Sequence, residues 1–71
     1  MLARQNLRSQ LHNANGYAFD DVFFNSLKGR DKHAPPTILR KKYLSYLDSL
    51  EDEDFMETFL RVFPLARNDY A

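Results

Sequence analysis

Chemistry near neutral pH needs a side chain that titrates there, or a nucleophile held beside a base, and this chain offers little of either. His12 and His33 are its only two histidines, the side chains whose ordinary pKa lies closest to 7. With Lys28, Arg30 or Lys32 beside them they would make a metal-free RNA-cleaving pair, one imidazole accepting a proton while the other donates one. Nothing in their spacing ties them together. The simpler reading puts His12 at the negative end of a first helix and His33 in an exposed loop. The chain has no cysteine, which removes thiolate nucleophiles, disulfides and thiolate-bound zinc or iron–sulfur sites together. With only two glycines, Gly16 and Gly29, it has no glycine-rich phosphate loop, and GxSxG and HExxH patterns are absent. Asp52, Asp54 and Glu57 form an acidic run, but a calcium loop needs oxygen ligands folded around a glycine, and none lies there. The run suits a helix N-terminus better than a metal. The expectation is a non-enzymatic protein with no catalytic residues, no cofactor and no metal.

Binding chemistry is better represented. Lys28, Arg30, Lys32, Arg40, Lys41 and Lys42 stand against Asp31 alone, a net charge of +5 across residues 28–42. Arg40, Lys41 and Lys42 fall in the early turns of an expected helix, where the dipole disfavours each positive charge by about 0.3–1 kcal/mol. Residues that gain nothing locally point to a contact outside the chain. Phosphates would be neutralised by such a patch. Two features oppose a dedicated nucleic-acid domain. The whole chain is neutral, with ten basic and ten acidic residues. A helix-turn-helix made from its last two helices would also bring Asp52, Glu53, Asp54 and Glu57 to the bases.

The neutrality conceals an uneven distribution. Residues 1–42 carry eight positive and three negative side chains, and residues 43–71 carry two positive and seven negative, so +5 is followed by −5. Such an asymmetry steers partners. Ten aromatics are many for one small core. Phe19, Phe23, Tyr43, Phe55, Phe59 and Phe63 fit inward helix faces, whereas Phe24, Tyr46, Met56 and Leu60 fall at the margins, where interfaces are enriched in such residues.

These residues must be positioned by short elements. Ala3, Leu7, Leu11 and Ala14 recur at helical spacing, predicting a first helix over 2–14 that closes where Asn15-Gly16 offers left-handed backbone. A second helix over 18–28 would face Phe19, Val22, Phe23 and Leu27 inward, with Asp20 and Asp21 in its early turns and Gly29 closing it. A short strand through YAFDDVFF is its rival, weakened by the Asp-Asp pair and the lack of a partner strand. Residues 29–35 read as a loop, and Pro36 suits the first position of a third helix over 36–50, whose face carries Ile38, Leu39, Tyr43, Tyr46, Leu47 and Leu50. A fourth helix over 52–63 follows, unless the last two are one bent helix, and Pro64 starts a tail over 64–71 that packs Leu65 and Tyr70 or frays.

The fold class implied is all-α, a small single-domain bundle of three or four short helices. A chain of 71 residues buries only about 60% of its unfolded surface, so its core must be dense and some apolar faces must stay open. The functional expectation is a cytoplasmic adaptor, accessory subunit or inhibitor that docks on a larger protein partner through Lys28, Arg30, Lys32, Arg40, Lys41, Lys42, Phe24 and Tyr46. Nucleic-acid binding through the same basic segment is the alternative, and self-association of basic on acidic surface is a third reading. No apolar run is long enough for a membrane span.

Overall fold

The computed structural model describes the backbone of residues 3–70 and the side chains of residues 3–68. Leu2 and the side chain of Tyr70, both assigned a place from the sequence, lie outside the described residues. The architecture is all-α: α1 (Arg4–Asn13), α2 (Asp21–Ser26), α3 (Pro36–Ser49) and α4 (Asp52–Tyr70), with 3-10 turns at Gly16–Phe19 and Gly29–His33. Among the described residues there is no strand.

Helix α1 buries Leu7 and Leu11, and Ala14 just beyond it is buried too, as their four- and three-residue spacing requires. It ends where Asn15 takes the left-handed conformation, with φ 57° and ψ 42°. Gly16 has a different task. A Cβ there would stand 2.8 Å from the Leu11 carbonyl oxygen, so only glycine lets the chain fold back so closely.

The expected second helix is split. Asp20 adopts extended backbone, φ −101° and ψ 91°, and its side chain accepts a hydrogen bond from the Phe23 N–H, making it the N-cap of a six-residue α2. An aspartate offers the backbone this alternative to continuing a helix, and here the alternative wins. The helical phase restarts at Asp21, which turns Phe23 inward and leaves Val22 54% exposed rather than in the core. The stretch expected as loop carries a 3-10 turn, after which Ala34 and Pro35 are extended, as residues before proline must be. Pro36 then begins α3 at the position where its missing N–H costs nothing.

Helix α3 buries Leu39, Tyr43 and Leu47, while Ile38 stays exposed. Leu50 is extended at the corner, so α3 and α4 are two helices. Arg4 clamps that corner. Its guanidinium donates to the Leu47 carbonyl at 2.5 Å and the Leu50 carbonyl at 2.6 Å, pairs with Asp52 at 2.8 Å and lies 4.5 Å from the Phe55 ring centre. One side chain therefore satisfies the Leu50 carbonyl and adds a second donor to that of Leu47, which also accepts from the Leu50 N–H.

Helix α4 does not stop at Pro64. It runs on to Tyr70, which corrects the expected tail over 64–71. Pro64 is exposed, and the carbonyl deprived of its donor belongs to Leu60, itself 67% exposed, so water can take the bond. Ala66 is fully buried beyond the proline and holds the continuation in place, while Leu65 is half exposed. Phe55, Phe59 and Val62 join Leu7, Leu11, Phe23, Tyr43 and Leu47 in one core cluster. The thinnest dimension is 17 Å, room for two packed helices, so each helix keeps an outward face.

Removing the clamp tests this account of the corner. Arg4→Ala is expected to lower unfolding free energy by about 1–3 kcal/mol, since charge-assisted hydrogen bonds and a partly buried cation–π contact go together. Urea unfolding followed by circular dichroism reads the loss, and an unchanged midpoint would sink the assignment.

Candidate docking site

The best-formed part of the expected binding surface is a shallow groove of about 500 Å3 between α2 and α3, lined by Phe23, Leu27, Lys41, Lys42, Ser45 and Tyr46. Phe23 is buried, Leu27 and Tyr46 are half-buried, and Lys41 and Ser45 are exposed, so an apolar floor is edged by hydroxyl and ammonium groups. The aromatic floor is held by ring contacts. Phe23 meets Tyr43 edge-on with centres 4.9 Å apart, and Tyr46 lies 5.3 Å from Phe23 and 6.0 Å from Tyr43.

Beneath the floor is a buried carboxylate that sequence reasoning placed only at a helix start. Asp20 is fully buried. Its Oδ1 accepts from the Phe23 N–H at 3.0 Å and the Arg61 guanidinium at 3.1 Å, and its Oδ2 accepts from the Tyr43 hydroxyl at 3.0 Å. Donors from α2, α3 and α4 thus converge on one charge, which is what burial of a carboxylate demands. Arg61 was read only as one of two positives in an acidic half. A sequence signal existed, since it stands one turn beyond Glu57 on a helix flanked by core residues, but spacing alone does not say which carboxylate it meets.

The tyrosines are tuned by this arrangement. Burial first, and then the Asp20 charge and its hydrogen bond, push the Tyr43 hydroxyl strongly up from its ordinary value. Tyr46 is raised by the same two causes in the same order, burial and then Asp20, while Arg61 pulls it down. Tyr43 therefore keeps its proton and acts as a donor, and the cluster is a closed set of satisfied groups rather than an acid–base pair.

The other expected site residues divide. Lys41 and Lys42 edge the groove, and Lys42 reaches Asp31 at 3.7 Å, tying the Gly29–His33 turn to α3. Lys28, Arg30, Lys32 and Lys41 are exposed, with no ionic partner among the described residues. Arg40 leaves the patch. It is half-buried, and its Nε donates to Asn15 Oδ1 at 2.8 Å, bracing the corner after α1. The inference that Arg40 and Lys42 gain nothing locally is therefore corrected, and among the early α3 cations it holds for Lys41. Phe24 is 38% exposed and does not line the groove.

The acidic half is met from elsewhere. Arg8 holds Asp48 through Nε to Oδ1 at 2.8 Å and NH2 to Oδ2 at 3.1 Å, and Arg4 holds Asp52, so α1 rather than residues 28–42 answers it. His12 lies in the last turn of α1 and His33 ends the second 3-10 turn. Among the described residues no group of three or more His, Cys, Asp or Glu is gathered for a metal, and no helix is long and apolar enough to cross a membrane.

Two measurements test the buried cluster. An unfolded tyrosine sheds its proton near pH 10, whereas native Tyr43 retains it, so the unfolded state binds fewer protons above that pH. Stability is then full below about pH 10 and falls above it, by about 1.4 kcal/mol per pH unit from Tyr43, with the more exposed Tyr46 adding in the same direction. Urea midpoints across this range are expected to fall less steeply in Tyr43→Phe. Asp20→Ala strands a guanidinium and a buried hydroxyl and is expected to cost about 3–5 kcal/mol, enough to unfold much of a small domain. A calorimetric transition that hardly moves would contradict it.

Set against protein-family models, curated proteins and solved structures, the chain matches none, so its function is argued from its own geometry.

Proposed function

We propose that this protein is a non-enzymatic docking module, an adaptor, accessory subunit or inhibitor, that takes an acidic segment of a larger protein into the α2–α3 groove. The observation that carries this reading is the pairing of a firm apolar floor, Phe23, Leu27 and Tyr46, with Lys41 and Lys42 at the edge. An apolar floor rewards a partner's side chain with burial of roughly 25 cal/mol per Å2, which a phosphate backbone cannot supply. The ammonium groups answer carboxylates flanking that side chain. Lys28, Arg30 and Lys32, exposed in the neighbouring segment, extend the positive field and favour fast, salt-sensitive encounter over tight binding. A cytoplasmic place of work belongs to the same proposal, resting on the cysteine-free composition.

A second reading has its own support. The four cations Lys28, Arg30, Lys32 and Lys41 that lack ionic partners among the described residues would serve equally to neutralise phosphates of a nucleic acid.

Nuclear magnetic resonance titration with an acidic peptide carrying one leucine or phenylalanine, and separately with an oligonucleotide, distinguishes them. The peptide is expected to shift the amide signals of Lys41, Ser45 and Tyr46, and Ser45→Glu is expected to weaken it about tenfold while the fold is kept. If the oligonucleotide binds with a steep salt dependence and the peptide does not bind, the nucleic-acid reading replaces the first. If neither binds at low salt, both fall.

A further inference from the structure

A second apolar surface lies on the opposite pair of helices. Helices α1 and α4 run side by side in the same direction: Arg4 meets Asp52 near their starts, and Gln10 and Ala14 share a depression with Phe63 and Arg67 further along. The seam between them opens into a groove of about 510 Å3 lined by Ala3, Leu7, Met56 and Leu60 among others, with that second depression further along the same pair of helices. Met56 is 41% exposed and Leu60 67% exposed, although both belong to an otherwise core-forming helix.

The α4 side of the seam carries a regular stripe, of which Met56 and Leu60 line the groove and Phe63 and Arg67 the second depression. Glu53, Met56, Leu60, Phe63 and Arg67 follow one another at intervals of three, four, three and four residues, which places them in one stripe along α4. The stripe is apolar at its centre, acidic at its first member and basic at its last. Glu53 and Arg67 are each seven residues from Leu60, so the two charges exchange places when the stripe is reversed about Leu60. A parallel pairing of two such stripes would set Glu53 against Glu53 and Arg67 against Arg67. An antiparallel pairing that crosses at Leu60 sets Glu53 against Arg67 at both ends, and two-fold symmetry supplies both contacts at once.

Neither charge is paired among the described residues. Glu53 and Arg67 are exposed and form no ion pair among the described residues, whereas Asp52 is held by Arg4 and Asp48 by Arg8. Between residues 53 and 67 the helix rises about 21 Å, long enough for α4 of a second copy to lie along the groove and cover Met56, Leu60 and Phe63.

We propose that this face is the seam of an antiparallel homodimer, in which α4 of each copy packs across α4 of the other with Leu60 near the two-fold axis. The seam uses α1 and α4 and leaves the α2–α3 groove open, so the proposal does not depend on the docking function.

Sedimentation equilibrium of the full chain, from micromolar to millimolar concentration at low salt, tests it. A monomer–dimer equilibrium that weakens with salt is expected. Leu60→Glu is expected to abolish the dimer while circular dichroism shows helix content unchanged. Glu53→Arg and Arg67→Glu, both at exposed positions, are each expected to weaken self-association about tenfold, because each sets like charges together at both ends. An equimolar mixture of those two variants is expected to associate again, since unlike charges then meet at both ends of the seam; the orientation is read from the single variants, because a parallel seam would already set like charges together and would lose little by either substitution. A strict monomer at millimolar concentration, a dimer that survives Leu60→Glu, or a mixture that fails to recover would overturn the proposal, and a monomer that takes up another protein's helix along this groove would do so equally.

Discussion

Burying the charge of Asp20 constrains the whole molecule. An ionised carboxylate without solvent must be answered by donors, and the donors here come from three separate elements: the first turn of α2, Tyr43 on α3 and Arg61 on α4. Such a network is weak evidence for stability in itself, because well-packed apolar groups could fill the same space. What it supplies is uniqueness. Sliding α3 by one residue turns Tyr43 away, and rotating α4 withdraws Arg61, so one relative placement of the helices satisfies the charge. The ring stack of Phe23, Tyr43 and Tyr46 inherits that placement, and with it the floor of the α2–α3 groove.

The charges that look like two opposed halves in the sequence are resolved unevenly in space. Arg4 and Arg8 bring positive charge from α1 to Asp52 and Asp48, and Arg40 turns inward to Asn15. Of the cations before residue 43 that have no ionic partner among the described residues, Arg30 and Lys32 sit on the exposed second 3-10 turn and Lys28 and Lys41 are exposed beside it, where solvent screens them. Exposed charge of one sign next to an apolar floor is the arrangement on which the proposed docking rests.

Much of the architecture was legible because it follows from spacing. Leu7, Leu11 and Ala14, or Leu39, Tyr43 and Leu47, repeat at helical intervals and are buried in the structure, and Pro36 opens α3 where a proline fits. Two departures have physical causes that local reading could not weigh. Asp20 looks like any acidic residue in a first turn, but its tertiary donors make it a cap that interrupts the expected helix, and Val22 is exposed as a result. Pro64 carries the strongest stop signal in the second half, yet the burial of Ala66 outweighs one lost hydrogen bond on an exposed face. Of the residues expected to bind, Lys41, Lys42 and Tyr46 line the α2–α3 groove, whereas Arg40 and Phe24 do not, because which way a side chain at the margin of a helix turns is decided by its neighbours in space.

Arg4 reaches 43 residues along the chain to the carbonyl of Leu47 and 46 to that of Leu50. During synthesis it emerges early and waits for a corner that does not yet exist, just as Asp20 waits for Arg61. The segment up to the end of α3 lacks Phe55, Phe59, Val62 and Ala66, so Leu7 and Leu11 have only α3 and the first 3-10 turn to pack on, and Asp20 lacks its guanidinium partner. The closing of these distant loops is repaid only when α4 is in place, because α4 supplies both the Arg61 donor and one wall of the core. Contacts that span more than forty residues, from Arg4 to the α3–α4 corner and from Asp20 to Arg61, thus tie the first helix and the last into one cooperative unit.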